Sequence, residues 1–107
     1  MLRRQGLLRD LAIQRAMILY NTSVRMVREG RVDIAREQIR LGLTLLRKAG
    51  VRRPLSYRRY VCRTCFTPLI PGVTARVRLR GNEKQVIITL TCLHCGWVTR
   101  QPCVRGR

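Results

Sequence analysis

The sequence predicts an α+β fold, in which an N-terminal antiparallel two-helix hairpin precedes a small antiparallel sheet. The first half of the chain has helical periodicity and contains no proline before Pro54. Alternation of apolar and polar residues is confined to the second half, where two Cys-x-x-Cys motifs flank it. At 107 residues the chain suits one small domain with a helical extension.

The first predicted helix spans about residues 2–28 and is apolar around most of its circumference. One face carries Leu7, Leu8, Leu11, Ile18 and Leu19, and the other side carries Ile13, Met17, Tyr20, Val24 and Val27. A helix that is apolar nearly all round must be covered on several sides. We therefore expect Leu11 and Ile18 to contact a protein partner.

The second predicted helix spans about residues 34–49, with Asp33 as its N-cap and Gly30 as the C-cap of the preceding helix. Its apolar residues include Leu45, a third expected contact with a protein partner. The opposite face is expected to carry three arginines, namely Arg36, Arg40 and Arg47. The short glycine turn between the helices predicts an antiparallel hairpin.

Residues 50–54 end the helical half, because the residue before a proline disfavours helix. Alternation over residues 73–80 predicts a strand, Gly81 and Asn82 a turn, and residues 86–91 and 97–99 two further strands. The predicted division is a hairpin over 1–50, a basic linker over 51–57, a ribbon over 58–102 and a basic tail over 103–107.

Four cysteines have the spacing of a metal site: Cys62, Cys65, Cys92 and Cys95. Each Cys-x-x-Cys pair forms a tight knuckle, and two knuckles supply four tetrahedral ligands. The segment between the knuckles is predicted to be a β-hairpin that brings them together. This is the layout of a zinc ribbon, and four thiolates close the coordination sphere around one structural Zn²⁺.

Other uses of these cysteines are less compatible with the pattern. A disulfide framework is disfavoured by five cysteines without an export segment, and a thioredoxin-like site needs one motif instead of two. Iron of the rubredoxin type remains a minor alternative. His94 lies inside the second knuckle and could replace a cysteine as a ligand, but the paired spacing favours a side chain that faces solvent or RNA. Cys103 is expected to be a free thiol.

Charge is the extreme property of the chain, with 23 basic and five acidic residues giving a net charge of +18. Such a surface repels itself unless a polyanion neutralises it, so a nucleic-acid partner is favoured. Of the 23 basic residues, 21 are arginine and two are lysine. Genomic composition is the alternative explanation for this enrichment in arginine. The expected RNA-contacting residues are Arg52, Arg53, Tyr57, Arg58, Arg59, Arg63, Arg76, Arg78 and Arg80.

Catalysis by the chain itself is not indicated. Its single histidine and five acids form no apparent acid–base pair, and the sequence contains no phosphate-binding loop or dinucleotide fingerprint. No run of uncharged apolar residues is long enough to predict a membrane span.

The motifs together resemble the zinc-ribbon protein subunit of archaeal and eukaryotic ribonuclease P, the archaeal protein component 4 type. The resemblance covers about residues 4–102 and rests on the two helices and the knuckles Cys62–Cys65 and Cys92–Cys95. It also rests on Leu69–Gly72, followed by Arg76-Val77-Arg78.

The resemblance implies a non-catalytic subunit of an endoribonuclease that removes the 5′ leader from precursor tRNA, with catalysis in the RNA. It implies binding to the specificity domain of ribonuclease P RNA and docking through the N-terminal helices to a second protein subunit, of the component 1 type. The implied location is cytoplasmic, or nuclear in a eukaryote. A ribosomal or ribosome-assembly ribbon and a transcription-factor-like ribbon are the alternatives.

Overall fold

The computed structural model describes residues 4–81 and 83–104. Helices α1 (Arg4–Arg28) and α2 (Val32–Lys48) are followed by a short α3 (Leu55–Arg59) and by strands β1 (Ala75–Gly81), β2 (Gln85–Cys92) and β3 (Val98–Val104). The strands form one antiparallel sheet in the order β1-β2-β3. The predicted α+β class, a helical hairpin followed by a ribbon, is confirmed.

The turn between α1 and α2 has the hydrogen bonds of a Schellman motif. The Arg31 N–H donates to the Met26 carbonyl and the Gly30 N–H to the Val27 carbonyl, while Gly30 takes a positive φ of 82°. Gly30 is thus the helix-ending glycine, as predicted. Asp33 is not the N-cap: α2 already begins at Val32, after Arg31, and places Asp33 in its first turn.

Packing between the helices places small residues of α1 against larger aliphatic residues of α2. Ala16 of α1 and Ile39 and Leu46 of α2 are buried in one cluster, which Tyr57 of α3 and Val61 complete. A second contact joins Val27 and Ala35 to Ile70 of the ribbon. These shared clusters fix the ribbon against the hairpin, so the segment expected to be a linker contributes a core residue.

The ribbon has a smaller core that is built around the metal-ligand candidates. Cys62 and Cys92 are buried with Leu69, Ala75 and Leu90, and Trp97 packs against this cluster. β1 starts two residues later than predicted. The Thr74 hydroxyl, which accepts from the Ile70 N–H and donates to the Pro68 carbonyl, holds Val73 and Thr74 in a turn.

Arg36 and Arg40, which were expected on the face of α2 opposite its apolar residues, contact the ribbon. The Arg36 Nε donates to the Thr67 hydroxyl at 3.0 Å, and the Arg40 guanidinium lies 5.2 Å from the centroid of the Phe66 ring. Periodicity separates apolar from polar faces, but it does not show which polar face a later domain covers.

Candidate metal centre and basic surfaces

Four cysteines converge at the base of the ribbon, as predicted. The Sγ atoms of Cys62, Cys65, Cys92 and Cys95 all lie within 4.8 Å of one another. The Cys62–Cys95 and Cys65–Cys92 sulfur pairs are 3.3 and 3.7 Å apart. A tetrahedron with metal–sulfur bonds of about 2.3 Å has sulfur–sulfur edges of about 3.8 Å, so the cluster has the size of a four-thiolate metal site.

The two knuckles repeat one hydrogen-bond pattern. In the first, the Phe66 N–H donates to the Cys62 carbonyl and the Cys62 N–H donates to the Thr67 carbonyl. In the second, the Gly96 N–H donates to the Cys92 carbonyl and the Cys92 N–H donates to the Trp97 carbonyl. These bonds fix the backbone of each knuckle and aim both of its thiols at the same point.

Burial and hydrogen bonding give the thiols different proton affinities. Burial raises the pKa of the Cys62 thiol to about 12 and also raises the pKa of Cys92. Burial also disfavours the Cys65 thiolate, but hydrogen bonds from Thr67, Cys62 and Cys95 together outweigh it and lower the Cys65 pKa to about 7. Each thiol must lose its proton to bind a metal as a thiolate, so metal binding here competes with protonation.

His94 and Cys103 were the two other residues considered at the metal site. His94 is exposed and is not part of the group of four cysteines. The side chain of Cys103 lies outside the described part of the chain.

One face of the sheet is lined with arginine. Arg76, Arg78 and Arg80 alternate along β1 and are exposed, and with Arg100 of β3 they line a depression of about 480 Å³. The register pairs Arg78 with Thr89 and Thr89 with Arg100, which places Arg100 two strands across from Arg78 on the same face. Sequence analysis missed Arg100, because it ended the third strand at residue 99.

A second group of arginines surrounds a cleft of about 610 Å³ between α2 and the first knuckle. Arg52 and Arg53, both predicted to contact RNA, line it together with Arg40 and Arg47 of α2. Arg63 lies beside a smaller adjoining cavity that Arg53 also lines. Most of the predicted basic residues are therefore divided between the sheet face and this cleft with its adjoining cavity.

The remaining predicted RNA contacts lie on α3. Arg59 is exposed and its carbonyl accepts from the Gln101 side chain, whereas Arg58 is partly buried. Tyr57 is wrong as a base-stacking candidate, because its ring is 1% exposed in the helical core. The Tyr57 hydroxyl donates to the Ala16 carbonyl, and burial raises its pKa, so it remains a protonated donor.

The helical hairpin presents apolar side chains at its surface. Leu11 and Ile18 are 45% and 59% exposed, as their predicted role in a protein contact requires. Leu45 is only half-buried, and it lines a shallow cavity of about 300 Å³ with Leu8 and Leu11. Within the described ranges, neither long helix has an apolar stretch of the kind needed to cross a membrane.

The fold and the four-cysteine cluster define a ribbon protein of the zinc-ribbon type, with a candidate metal site and a helical-hairpin extension. The model of the RNAse P Rpr2/Rpp21/SNM1 subunit domain matches residues 15–96. The chain belongs to this family of ribonuclease P subunits, which confirms the resemblance found in the sequence. It is thus a protein component of an endoribonuclease that acts in tRNA processing.

Curated relatives and solved structures agree with this assignment. Ribonuclease P protein component 4 of Hyperthermus butylicus is 40% identical over 101 residues, covering 94% of this chain and 88% of the relative. The protein of the same name from Methanopyrus kandleri is 43% identical over 99 residues, covering 92% and 76%.

The fold is similar to a chain in the cryo-EM structure of archaeal ribonuclease P with mature tRNA. The TM-score is 0.79 at 30% identity, with 89% of this chain and 78% of that chain covered. The Pfu Rpp21 structure is also similar, with a TM-score of 0.62 at 33% identity and coverage of 86% and 99%.

Proposed function

We propose that this subunit binds ribonuclease P RNA through its ribbon and supports RNA-catalysed removal of the 5′ leader from precursor tRNA. The observation that carries the proposal is the row of three arginines on β1, which Arg100 extends across the sheet. Among the described residues, no acidic side chain lines this depression. Neighbouring guanidinium groups without acidic side chains between them favour binding of phosphate groups.

Geometry favours contact with the RNA backbone on this face. Alternate residues of a strand are about 6–7 Å apart, so the side chains of Arg76, Arg78 and Arg80 reach successive points along the same line. Thr89 and Thr91 of β2 lie among them, and their hydroxyl groups can donate hydrogen bonds to phosphate or sugar oxygens. The RNA proposed here is the specificity domain, with precursor tRNA as the substrate of the whole particle.

The metal in our proposal is one structural Zn²⁺, bound by Cys62, Cys65, Cys92 and Cys95. Four thiolates at tetrahedral spacing suit zinc and leave no open position for water. The ion would stabilise the knuckles that carry β1 and β2, and so the arginine face. Metal analysis of the purified chain tests this, and stoichiometric iron in place of zinc would contradict it.

The partner in our proposal is a second protein subunit of the component 1 type, which docks on the exposed leucines and isoleucine of the hairpin. Leu11 and Ile18 support this, because exposed apolar groups on one helix side favour burial against another protein. The proposed division of labour is protein docking by the exposed apolar face of the hairpin (residues 1–50) and RNA binding mainly by the ribbon (residues 58–102), in a cytoplasmic particle.

Isolation of tagged protein from its host at moderate salt, followed by sequencing of the bound RNA, tests this function. Ribonuclease P RNA should dominate, and a variant with Arg76, Arg78 and Arg80 replaced by glutamine should recover much less of it. The matched control replaces Arg9, Arg25 and Arg28, three exposed arginines of α1, and should recover normal amounts. Dominant ribosomal RNA would contradict the proposal and indicate a ribosomal role.

A further inference from the structure

The cleft between α2 and the first knuckle has an apolar floor and a basic rim. Leu43, Leu46, Val51 and Phe66 form the floor, and Arg40, Arg47, Arg52 and Arg53 line the remaining wall. Its volume of about 610 Å³ is within the usual range of small-ligand sites. No acidic residue of the described chain is part of the lining, so charge complementarity favours an anionic occupant.

Phe66 is held in an unusual backbone conformation at this cleft. Its φ is 63°, whereas the equivalent position of the second knuckle is Gly96 with a φ of 83°. Left-handed φ values are open to glycine and disfavoured for residues with a side chain. Since glycine satisfies the same knuckle geometry at Gly96, the strain at Phe66 indicates that its ring has a task, as strained residues at binding sites often do.

The ring is positioned for contact with a flat ligand. Arg40 lies 5.2 Å from the Phe66 centroid, and 56% of the Arg40 side chain is exposed. Its guanidinium also forms an exposed ion pair with Glu37 at 3.6 Å, so Arg47, Arg52 and Arg53 supply most of the unopposed charge around the cleft. Phe66 also packs against the helical core, but core packing does not account for the open space beside the ring or for four surrounding guanidinium groups. Unpaired RNA bases stack on aromatic rings and on arginine planes.

We propose that this cleft receives one unpaired base of the bound RNA. The base packs against the Phe66–Arg40 pair, and the phosphates on either side of it contact Arg47, Arg52 and Arg53. The proposal rests on the RNA-binding function above and adds a requirement for single-stranded RNA at this point. A duplex cannot occupy the cleft, because its bases are already stacked and paired.

Binding of two probes by the full-length, metal-loaded chain tests the proposal. The probes are a short single-stranded RNA and the blunt duplex that it forms with its complement. Phe66→Leu should weaken binding of the single strand roughly fivefold or more, which is the low end for loss of one stacked base. Binding of the duplex should not change, and Phe66→Tyr should keep the affinity for the single strand. Equal weakening for both probes, or none for either, would overturn the proposal.

Charge is tested by a matched pair of arginine variants. Arg47→Gln should weaken binding of the single strand, whereas Arg25→Gln, at an exposed position on α1, should not.

Should Phe66→Leu and Phe66→Tyr both fail to fold, ultraviolet crosslinking of the unmodified chain to the single strand gives an independent result. The tryptic fragment 64–76 contains Phe66 as its only aromatic residue, and the crosslink should be assigned to that ring. Crosslinks confined to other fragments would overturn the proposal.

Failure of this proposal differs from failure of the proposed function. A chain that binds ribonuclease P RNA with strong salt dependence, yet is indifferent to Phe66→Leu, refutes only the base cleft. A chain that binds no RNA refutes both. If Phe66→Leu reduces recovery of another ribonuclease P protein and leaves RNA affinity intact, the cleft is a protein-binding site instead.

Discussion

The helical hairpin and the ribbon are stabilised by different means. The hairpin buries Ala16, Ile39 and Leu46 with the large ring of Tyr57, which is an ordinary hydrophobic core. Among the described residues, the core cluster of the ribbon contains three aliphatic side chains and no buried aromatic ring, and Ala75 is the sole buried residue of β1. Two of the five buried residues in its core cluster are Cys62 and Cys92, which belong to the candidate metal site. Apolar packing therefore stabilises the hairpin, whereas we expect the ribbon to depend on the metal ion proposed at its four cysteines.

The surfaces of the two regions differ in a parallel way. The hairpin exposes apolar side chains such as Leu11 and Ile18, whereas one face of the ribbon exposes Arg76, Arg78 and Arg80. An apolar surface favours a protein partner and a cationic one favours a polyanion. We therefore expect each region to have its own source of stability and to bind its own kind of partner.

Loss of one metal ligand should have the largest effect and should separate the two regions. Cys65→Ser should abolish stoichiometric metal binding and unfold residues 60–104, because binding of a structural metal is also folding free energy. The helical signal of α1 and α2 should persist. Metal analysis with amide NMR measures both effects, and Cys103→Ser, outside the four-cysteine group, is the matched control. Full zinc occupancy in Cys65→Ser would contradict the four-thiolate site.

Acidification should act on the ribbon through the same thiols. The raised pKa values of Cys62 and Cys92 mean that both carry protons near neutral pH without metal, and Zn²⁺ must displace them. Affinity for zinc should therefore fall as the pH falls and rise as it rises. Calorimetric titration in buffers of different ionisation enthalpy measures the released protons. Zinc binding without proton release near pH 7 would show that Cys62 and Cys92 do not carry protons in the metal-free chain.

A substitution in the hairpin core should lower stability less than loss of a metal ligand does, and it should not affect metal binding. Gly42 is buried in α2, and a Cβ atom added there would overlap the Tyr57 hydroxyl. Gly42→Ala should destabilise the hairpin by about 1–3 kcal/mol through overpacking, although alanine is the better helix former by about 1 kcal/mol. Thermal unfolding with metal bound measures this. A more stable variant would show that the core accommodates the added methyl group.

Changes at the exposed face of the hairpin should have the smallest effect on stability. Leu11→Gln combined with Ile18→Gln should stay within about 0.5 kcal/mol of the parent, because neither side chain is buried in the isolated chain. Binding of a hydrophobic dye and self-association should fall. Leu79→Gln, which alters a 67% exposed leucine of the ribbon, is the control and should leave self-association unchanged. Undiminished self-association in the double variant would argue against this docking face.

Local patterns were sufficient to predict much of the fold and the metal site. The Cys62–Cys65 and Cys92–Cys95 knuckles were predictable because two-residue spacing constrains ligand geometry directly. Gly30 was predictable as a helix end because a left-handed residue is needed there. Both features depend on short stretches of backbone, where sequence and conformation are closely linked.

Features that depend on docking between the two regions could not be predicted in this way. Tyr57 lies in a segment that resembles a basic linker, yet its ring fills the space beside Gly42 and Tyr20. Arg40 and Arg47 belong to a polar helix face, but the ribbon lies over it and forms the cleft. Arg100 joins the β1 arginines only through the register of β3.

The salt dependence of RNA affinity tests the central claim, that the ribbon is the RNA-binding region, most directly. Affinity for ribonuclease P RNA should fall steeply with salt, and replacing Arg76, Arg78 and Arg80 by glutamine should flatten the log–log slope by roughly two to three units. Metal content and fold should not change. Replacing Arg9, Arg25 and Arg28 of α1 should leave the slope nearly intact. A sheet variant that keeps the full slope, with an α1 variant that loses it, would place the RNA on the helical hairpin and contradict the account.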